Sequence, residues 1–114
     1  MSDCLFCGIV DGKIKVNVVY QDDAVVAFKD IAPKAPVHIL IIPRKHLASV
    51  SDIAEQDRAL IGEIFQVAAK LAREQGIAES GYRVVANSGA DAGQSVFHLH
   101  YHLMGGRQMT WPPG

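Results

Sequence analysis

Val96-Phe97-His98-Leu99-His100-Tyr101-His102-Leu103-Met104 decides the reading of this chain. The run predicts a long final strand, closed by Gly105-Gly106, and alternate residues of a strand share a face. His98, His100 and His102 therefore point one way, and Leu99, Tyr101 and Leu103 the other. At ~3.3 Å per residue, neighbouring imidazoles would stand roughly 7 Å apart and the outer two roughly 13 Å. One metal ion could take two neighbouring rings but not all three. A lone strand histidine is usually a packed or surface residue, whereas three in register on an otherwise apolar strand point to chemistry. Neutral imidazole donates at one nitrogen, accepts at the other, and is a competent nucleophile, so a row of them suits phosphoryl transfer.

Outward from this run, Asn87-Ser88-Gly89-Ala90-Asp91-Ala92-Gly93-Gln94-Ser95 reads as a loop. Glycine lets backbone N–H groups approach an anion, and Gln94 and Ser95 add side-chain donors, so the loop is a candidate phosphate cradle. No Walker-type lysine motif accompanies it. Tyr82 to Ala86 predicts a strand. Further upstream, Leu60, Ile61, Ile64, Phe65, Val67, Ala68, Leu71 and Ala72 recur at helical spacing. Asp52-x-x-Glu55 resembles a capping box at the start of that helix, and Gly76 suits its end. Val18–Tyr20 and Val25–Phe28 are split by Gln21-Asp22-Asp23, a strand–turn–strand pattern. Val37–Ile42 is a buried strand between prolines, and a helical turn fits Phe6–Val10. Strands, one long helix, then strands favour an α+β fold with a largely antiparallel sheet.

The 114 residues, 49% hydrophobic and 20% charged, are those of one globular domain over residues 1–114. Eleven basic residues against twelve acidic give a net charge of −1, with no basic excess for a nucleic-acid partner. The longest apolar stretch, Ala35–Pro43, is too short to span a membrane. Met1-Ser2-Asp3-Cys4 has no basic or apolar leader character, so the expected address is the cytoplasm. Cys4 and Cys7 cannot form a disulfide framework; their spacing suits a redox pair, two metal ligands or two buried thiols.

His98-x-His100-x-His102 followed by two apolar residues resembles the signature of the histidine triad superfamily. The likeness to its Hint branch extends through Asp22-Asp23, Phe28-Lys29-Asp30-Ile31, Ala35-Pro36-Val37-His38 and Ile42-Pro43-Arg44-Lys45-His46. It continues through Gly81-Tyr82-Arg83, Gly93-Gln94-Ser95-Val96-Phe97, Gly105-Gly106-Arg107-Gln108-Met109 and Trp111-Pro112-Pro113-Gly114. The resemblance implies a homodimeric hydrolase of purine nucleoside phosphoramidates, such as AMP linked to an amine. It implies His100 as the nucleophile that forms a nucleotidyl-histidine intermediate, with His102 and Ser95 at the phosphate and leaving group. Asp30 and Ile31 would meet the ribose and base, Phe6 and Phe28 would wall the pocket, and Asn87, Gly93 and Gln94 would form the phosphate loop. His38 would stand beside the triad. Asp30 and Asn87 are equally turn residues by themselves.

Some members of the superfamily use the first histidine of the triad as a metal ligand. By that resemblance Cys4, Cys7, His46 and His98 complete a Cys2His2 zinc set. Thr110 stands where many relatives carry a further histidine. Competing readings are a dinucleoside polyphosphate hydrolase using the same histidine, a non-catalytic nucleotide-binding module, and a redox protein built on Cys4 and Cys7.

Overall fold

A computed structural model describes residues 4–114; the Met1-Ser2-Asp3 start lies outside them. Five strands make one sheet: β1 (Val18–Gln21), β2 (Val25–Lys29), β3 (Val37–Pro43), β4 (Tyr82–Val85) and β5 (Tyr101–Gly105). Their order is β1-β2-β3-β5-β4, and every neighbouring pair is antiparallel. A short helix, α1 (Leu5–Val10), precedes the sheet, and the long helix α2 (Arg58–Glu74) lies between β3 and β4. This is the expected α+β architecture.

Alternation along the strands divides the core in two. Val25, Ala27, Ile39, Ile41, Tyr101 and Leu103 face α2 and pack on its Ile64, Val67, Ala68, Leu71 and Ala72. Val26, Phe28, Leu40 and Ile42 face the other way, onto Phe6 and Ile9 of α1. His102 is paired with Leu40 and His38 with Met104, so both histidines belong to the α1 side of the sheet. The histidine row is thus carried on the face that α2 leaves open.

Two expectations about elements are corrected. The last strand begins at Tyr101, not Val96, so only His102 of the three histidines lies in it. The preceding residues are bent by a side-chain bond and a long-range main-chain bond: Gln94 Nε2 donates to the Val96 carbonyl, and Leu99 N–H donates to the Leu47 carbonyl at 2.6 Å. Leu99 still enters the α2-side core, so the inward–outward alternation survives without the ladder.

The long helix also starts later than Asp52-Glu55 predicts. Two single 3₁₀ turns, Val50–Asp52 and Glu55–Asp57, come first. Asp52 is occupied by the Ser49 hydroxyl at 3.0 Å. Asp57 instead ties the entry, accepting the Ala54 N–H at 2.9 Å and the Lys45 ammonium at 2.6 Å while almost wholly buried. The helix ends as expected: Gly76 takes φ 75°, a conformation that glycine adopts without strain.

Candidate active site and metal-ligand cluster

His100 is buried, with its Nδ1 2.7 Å from the main-chain carbonyl of His98. A carbonyl only accepts, so Nδ1 carries the proton and donates it, and Nε2 is left with its lone pair. His100 is therefore held as the tautomer that a nucleophilic Nε2 requires. Its ring lies edge-on to Phe6, centroids 5.0 Å apart, and 5.2 Å from the ring of His102.

The same bookkeeping fixes the other pair. Lys34 N–H donates to His38 Nδ1 at 3.0 Å, so the His38 proton is on Nε2. That proton faces His102 Nδ1 at 2.9 Å, with Asp30 Oδ2 3.4 Å away as a second acceptor. His102, accepting at Nδ1, must carry its own proton on Nε2 and is a donor. Burial first, then the charges of His100 and His38, hold the His102 pKa down to about 4, against an opposing pull from Asp30. Burial likewise lowers His38. Both rings are neutral at neutral pH: His38 relays to His102, and His102 presents an uncharged N–H. Asp30, His38 and His102 are close enough for a metal, but the Lys34 amide keeps a proton on the His38 nitrogen that faces the other two. That trio is a hydrogen-bond relay.

Asp30 accepts the Ala32 N–H at 2.8 Å through Oδ1, which makes the turn after β2 and sets Ile31 almost fully exposed beside the relay. Phe28 is buried under Phe6, rings 5.7 Å apart and nearly perpendicular. Asn87 is half-buried and Ser95 exposed. Gly93 takes φ 85° at the end of a 3₁₀ turn, Ala90–Ala92, where a side chain would be strained. The side chain of Gln94 is not a free donor: it accepts from Gly89 N–H and gives both amide protons to the carbonyls of Ala48 and Val96. It shapes the loop from within.

At the other end of the same segment, His98 is fully buried and donates Nε2–H to the Pro43 carbonyl at 2.8 Å. Its Nδ1 lone pair therefore faces Cys4 Sγ at 3.4 Å, Cys7 Sγ at 3.6 Å and His46 Nδ1 at 3.2 Å. Cys7 Sγ is 3.3 Å from His46 Nδ1. Burial, then the neighbouring Cys4, push the Cys7 thiol above its usual value. Four soft donors converge on one point, close enough together to bind a metal ion.

The triad, His38, Asp30 and the thiol and imidazole donors singled out from the sequence lie together in two adjoining groups. The sequence could not show the main-chain partners: the carbonyls of His98 and Pro43 and the Lys34 amide carry no residue-type signal.

A site of this kind, imidazoles on the open face of a five-stranded antiparallel sheet, defines a known class. The model of the HIT domain family matches residues 11–109. The chain belongs to that family. A solved structure named as a HIT family hydrolase from Legionella pneumophila is 51% identical, with a TM-score of 0.97, over 98% of this chain and 100% of that one. One of the same description from Clostridium thermocellum is 47% identical over 96% of both chains, with a TM-score of 0.94. A HIT-like protein of Synechococcus elongatus, itself uncharacterized, is 44% identical over 99% of this chain and 98% of its own length.

Proposed function

We propose that this protein is a hydrolase of purine nucleoside 5′-phosphoramidates, acting through a nucleotidyl group carried on His100. The observation that supports it best is the tautomer: Nδ1–H bound to the His98 carbonyl and a free lone pair on Nε2. His100 Nε2 attacks the α-phosphorus, the P–N bond breaks, and the amine leaves after taking up one proton from solvent. Water then cleaves the phosphorus–His100 bond, releasing the nucleotide and returning one proton. Throughout, His102 Nε2–H donates to a phosphoryl oxygen, held in that tautomer by His38.

Asp30 takes the ribose hydroxyls, Ile31 supplies an apolar surface for the base, and Phe6 and Phe28 form the pocket floor. Gly93 and Asn87 shape the phosphate loop that Gln94 braces, and Ser95 meets the leaving amine. The names of the Legionella and Clostridium structures support hydrolysis in general. Phosphoramidate specificity rests on the Hint-like loop and tail.

The metal we assign to Cys4, Cys7, His46 and His98 is zinc. With Zn–S of ~2.3 Å and Zn–N of ~2.0–2.1 Å, tetrahedral ligands stand roughly 3.3–3.8 Å from one another. Four of the six donor pairs lie 3.2 to 3.6 Å apart, close to that range, and all six lie within 4.8 Å. The Pro43 carbonyl on His98 is the usual outer partner that orients such a ligand. Bound there, the ion would cross-link α1 to the β3–α2 connection and the triad segment, a structural task. The working unit is a homodimer in the cytoplasm, with no nucleic-acid or membrane partner; among the described residues no helix is long and apolar enough to cross a membrane.

Steady-state assay with AMP and GMP phosphoramidates, alongside dinucleoside polyphosphates, tests the substrate class. Acid-quenched mass spectrometry during turnover should find one nucleotidyl group on the peptide containing His100. Preferred cleavage of dinucleoside polyphosphates would select the neighbouring branch, and binding without turnover would select a non-catalytic module. Metal analysis of protein purified without chelator should give about one zinc per chain, absent in Cys4→Ser.

A further inference from the structure

His98 is shared between the two sites. Its ring stands among Cys4, Cys7 and His46, while its main-chain carbonyl holds the Nδ1 proton of His100. Phe6 is shared in the same way from the opposite side. In sequence it lies between Cys4 and Cys7; in space its buried ring meets His98 at 6.0 Å and His100 at 5.0 Å, the latter at 89°. It rides on a helix of six residues, too short to be stable alone. What fixes that helix is its own small apolar face, Phe6 and Ile9, and the thiols at its start: Cys4 Sγ accepts the Cys7 N–H at 3.3 Å and both sulfurs face the imidazoles.

We propose that the Cys4–Cys7–His46–His98 cluster is a clamp on His100, with Phe6 and the main-chain carbonyl of His98 as the two positioning elements that transmit its hold. The inference rests on the reading of His100 as the nucleophile. The carbonyl chooses the tautomer and Phe6 closes off the ring's other orientations. An imidazole that loses either can rotate or move its proton to Nε2, where the lone pair needed for attack disappears. The bonds from His98 to Pro43 and from Leu99 to Leu47 add to the cluster's hold on the main chain, but neither is made to Phe6. The clamp therefore predicts that Phe6 matters to His100 even where the fold is intact.

The test compares the parent, Phe6→Leu, Phe6→Ala and Cys4→Ser, all purified without chelator, by long-range proton–nitrogen NMR of the histidine rings, with metal content and kinetics measured alongside. In the parent, His100 should show a single protonated Nδ1 and an unprotonated Nε2. Phe6→Ala should keep its metal, lose that single signature, and lose kcat on the order of tenfold or more. Phe6→Leu, which preserves most of the volume and so the fold, should shift the same way by less. Cys4→Ser should lose the metal and the signature together. A His100 that stays wholly Nδ1–H in Phe6→Leu and Cys4→Ser, with kcat within about twofold of the parent, overturns the clamp. A parent that does not cleave phosphoramidates overturns the proposed substrate instead, and the ring signatures still decide the clamp.

Discussion

At the residue scale the site is a set of proton assignments, each forced by a neighbour that can only donate or only accept. On the proposed mechanism His100→Ala removes the attacking nitrogen, and it should lower kcat on the order of a thousandfold or more while nucleotide still binds. Equilibrium dialysis with AMP alongside the rate assay checks this; turnover within tenfold of the parent would reject the mechanism. The buried neutral rings also set an acid limit. The pKa of His102 lies at about 4 in the fold against 6.5 as a free side chain, with burial as the largest cause, and His38 is lowered in the same sense. The unfolded chain therefore takes up protons first as pH falls through 6.5. Stability should be fully present above that pH and decline toward pH 4, where the folded ring finally titrates. Urea melts at pH 7.5, 6, 5 and 4 follow it; a His102→Asn chain should show a shallower decline, and an identical slope would contradict the assignment. The histidines could be found in the sequence because three on one face are improbable by chance. Their orientation could not, because it depends on carbonyls and amides that every residue possesses.

At the element scale, apolar periodicity made α2 and β3 legible, and it failed where side-chain bonds overrode it. Val96 to His100 has the composition of a strand, yet Gln94 and the Leu47 carbonyl turn it aside before β5 begins. Asp52-Glu55 has the spacing of a helix start, yet the buried carboxylate of Asp57 makes the entry, tied to Lys45 twelve residues away. The hairpin of β1 and β2 was readable because Asp22 serves it locally. Its Oδ1 accepts from Ala24 and Val25 N–H and its Oδ2 from the Tyr20 hydroxyl, all within three residues. Against burial, which raises it, those bonds together with one to the Glu63 carboxyl bring Asp22 to about 2. Helix α2 is held by its packed stripe more than by propensity. Leu71 is 1% exposed and faces the sheet. Leu71→Ala should cost about 2–5 kcal/mol in chemical denaturation, the range for a buried leucine whose cavity cannot close. A loss below about 0.5 kcal/mol would mean that the helix does not depend on that stripe.

At the scale of the whole molecule, what one chain leaves uncovered becomes informative. β4 is an edge strand, Tyr82 on it is 39% exposed, and Phe65 on α2 is 48% exposed, its ring meeting Tyr101 in an edge contact. Among the described residues the tail's side-chain bonds to its own chain reach as far as Thr110: Arg107 donates to the Lys34 carbonyl and Arg83, on β4, to the Thr110 carbonyl. Beyond that point Trp111 is 82% exposed. An indole presented this way next to an open sheet edge is costly to leave in water, and covering it could contribute roughly 2 kcal/mol. The proposed two-fold dimer would cover all three features, and a closed pair of this kind would give two equivalent sites. Light scattering at micromolar concentration should therefore give the mass of two chains. If the tail of one chain serves the nucleotide site of the other, deleting residues 111–114 should leave the fold intact and change KM or amine preference. Mixing that truncated chain with full-length His100→Ala separates the two arrangements. Only a tail acting across the dimer restores the parent's selectivity, because the intact tail and the intact His100 then sit on different chains. A monomeric parent, or a mixed dimer that keeps the truncated chain's selectivity, would place the tail's action within its own chain.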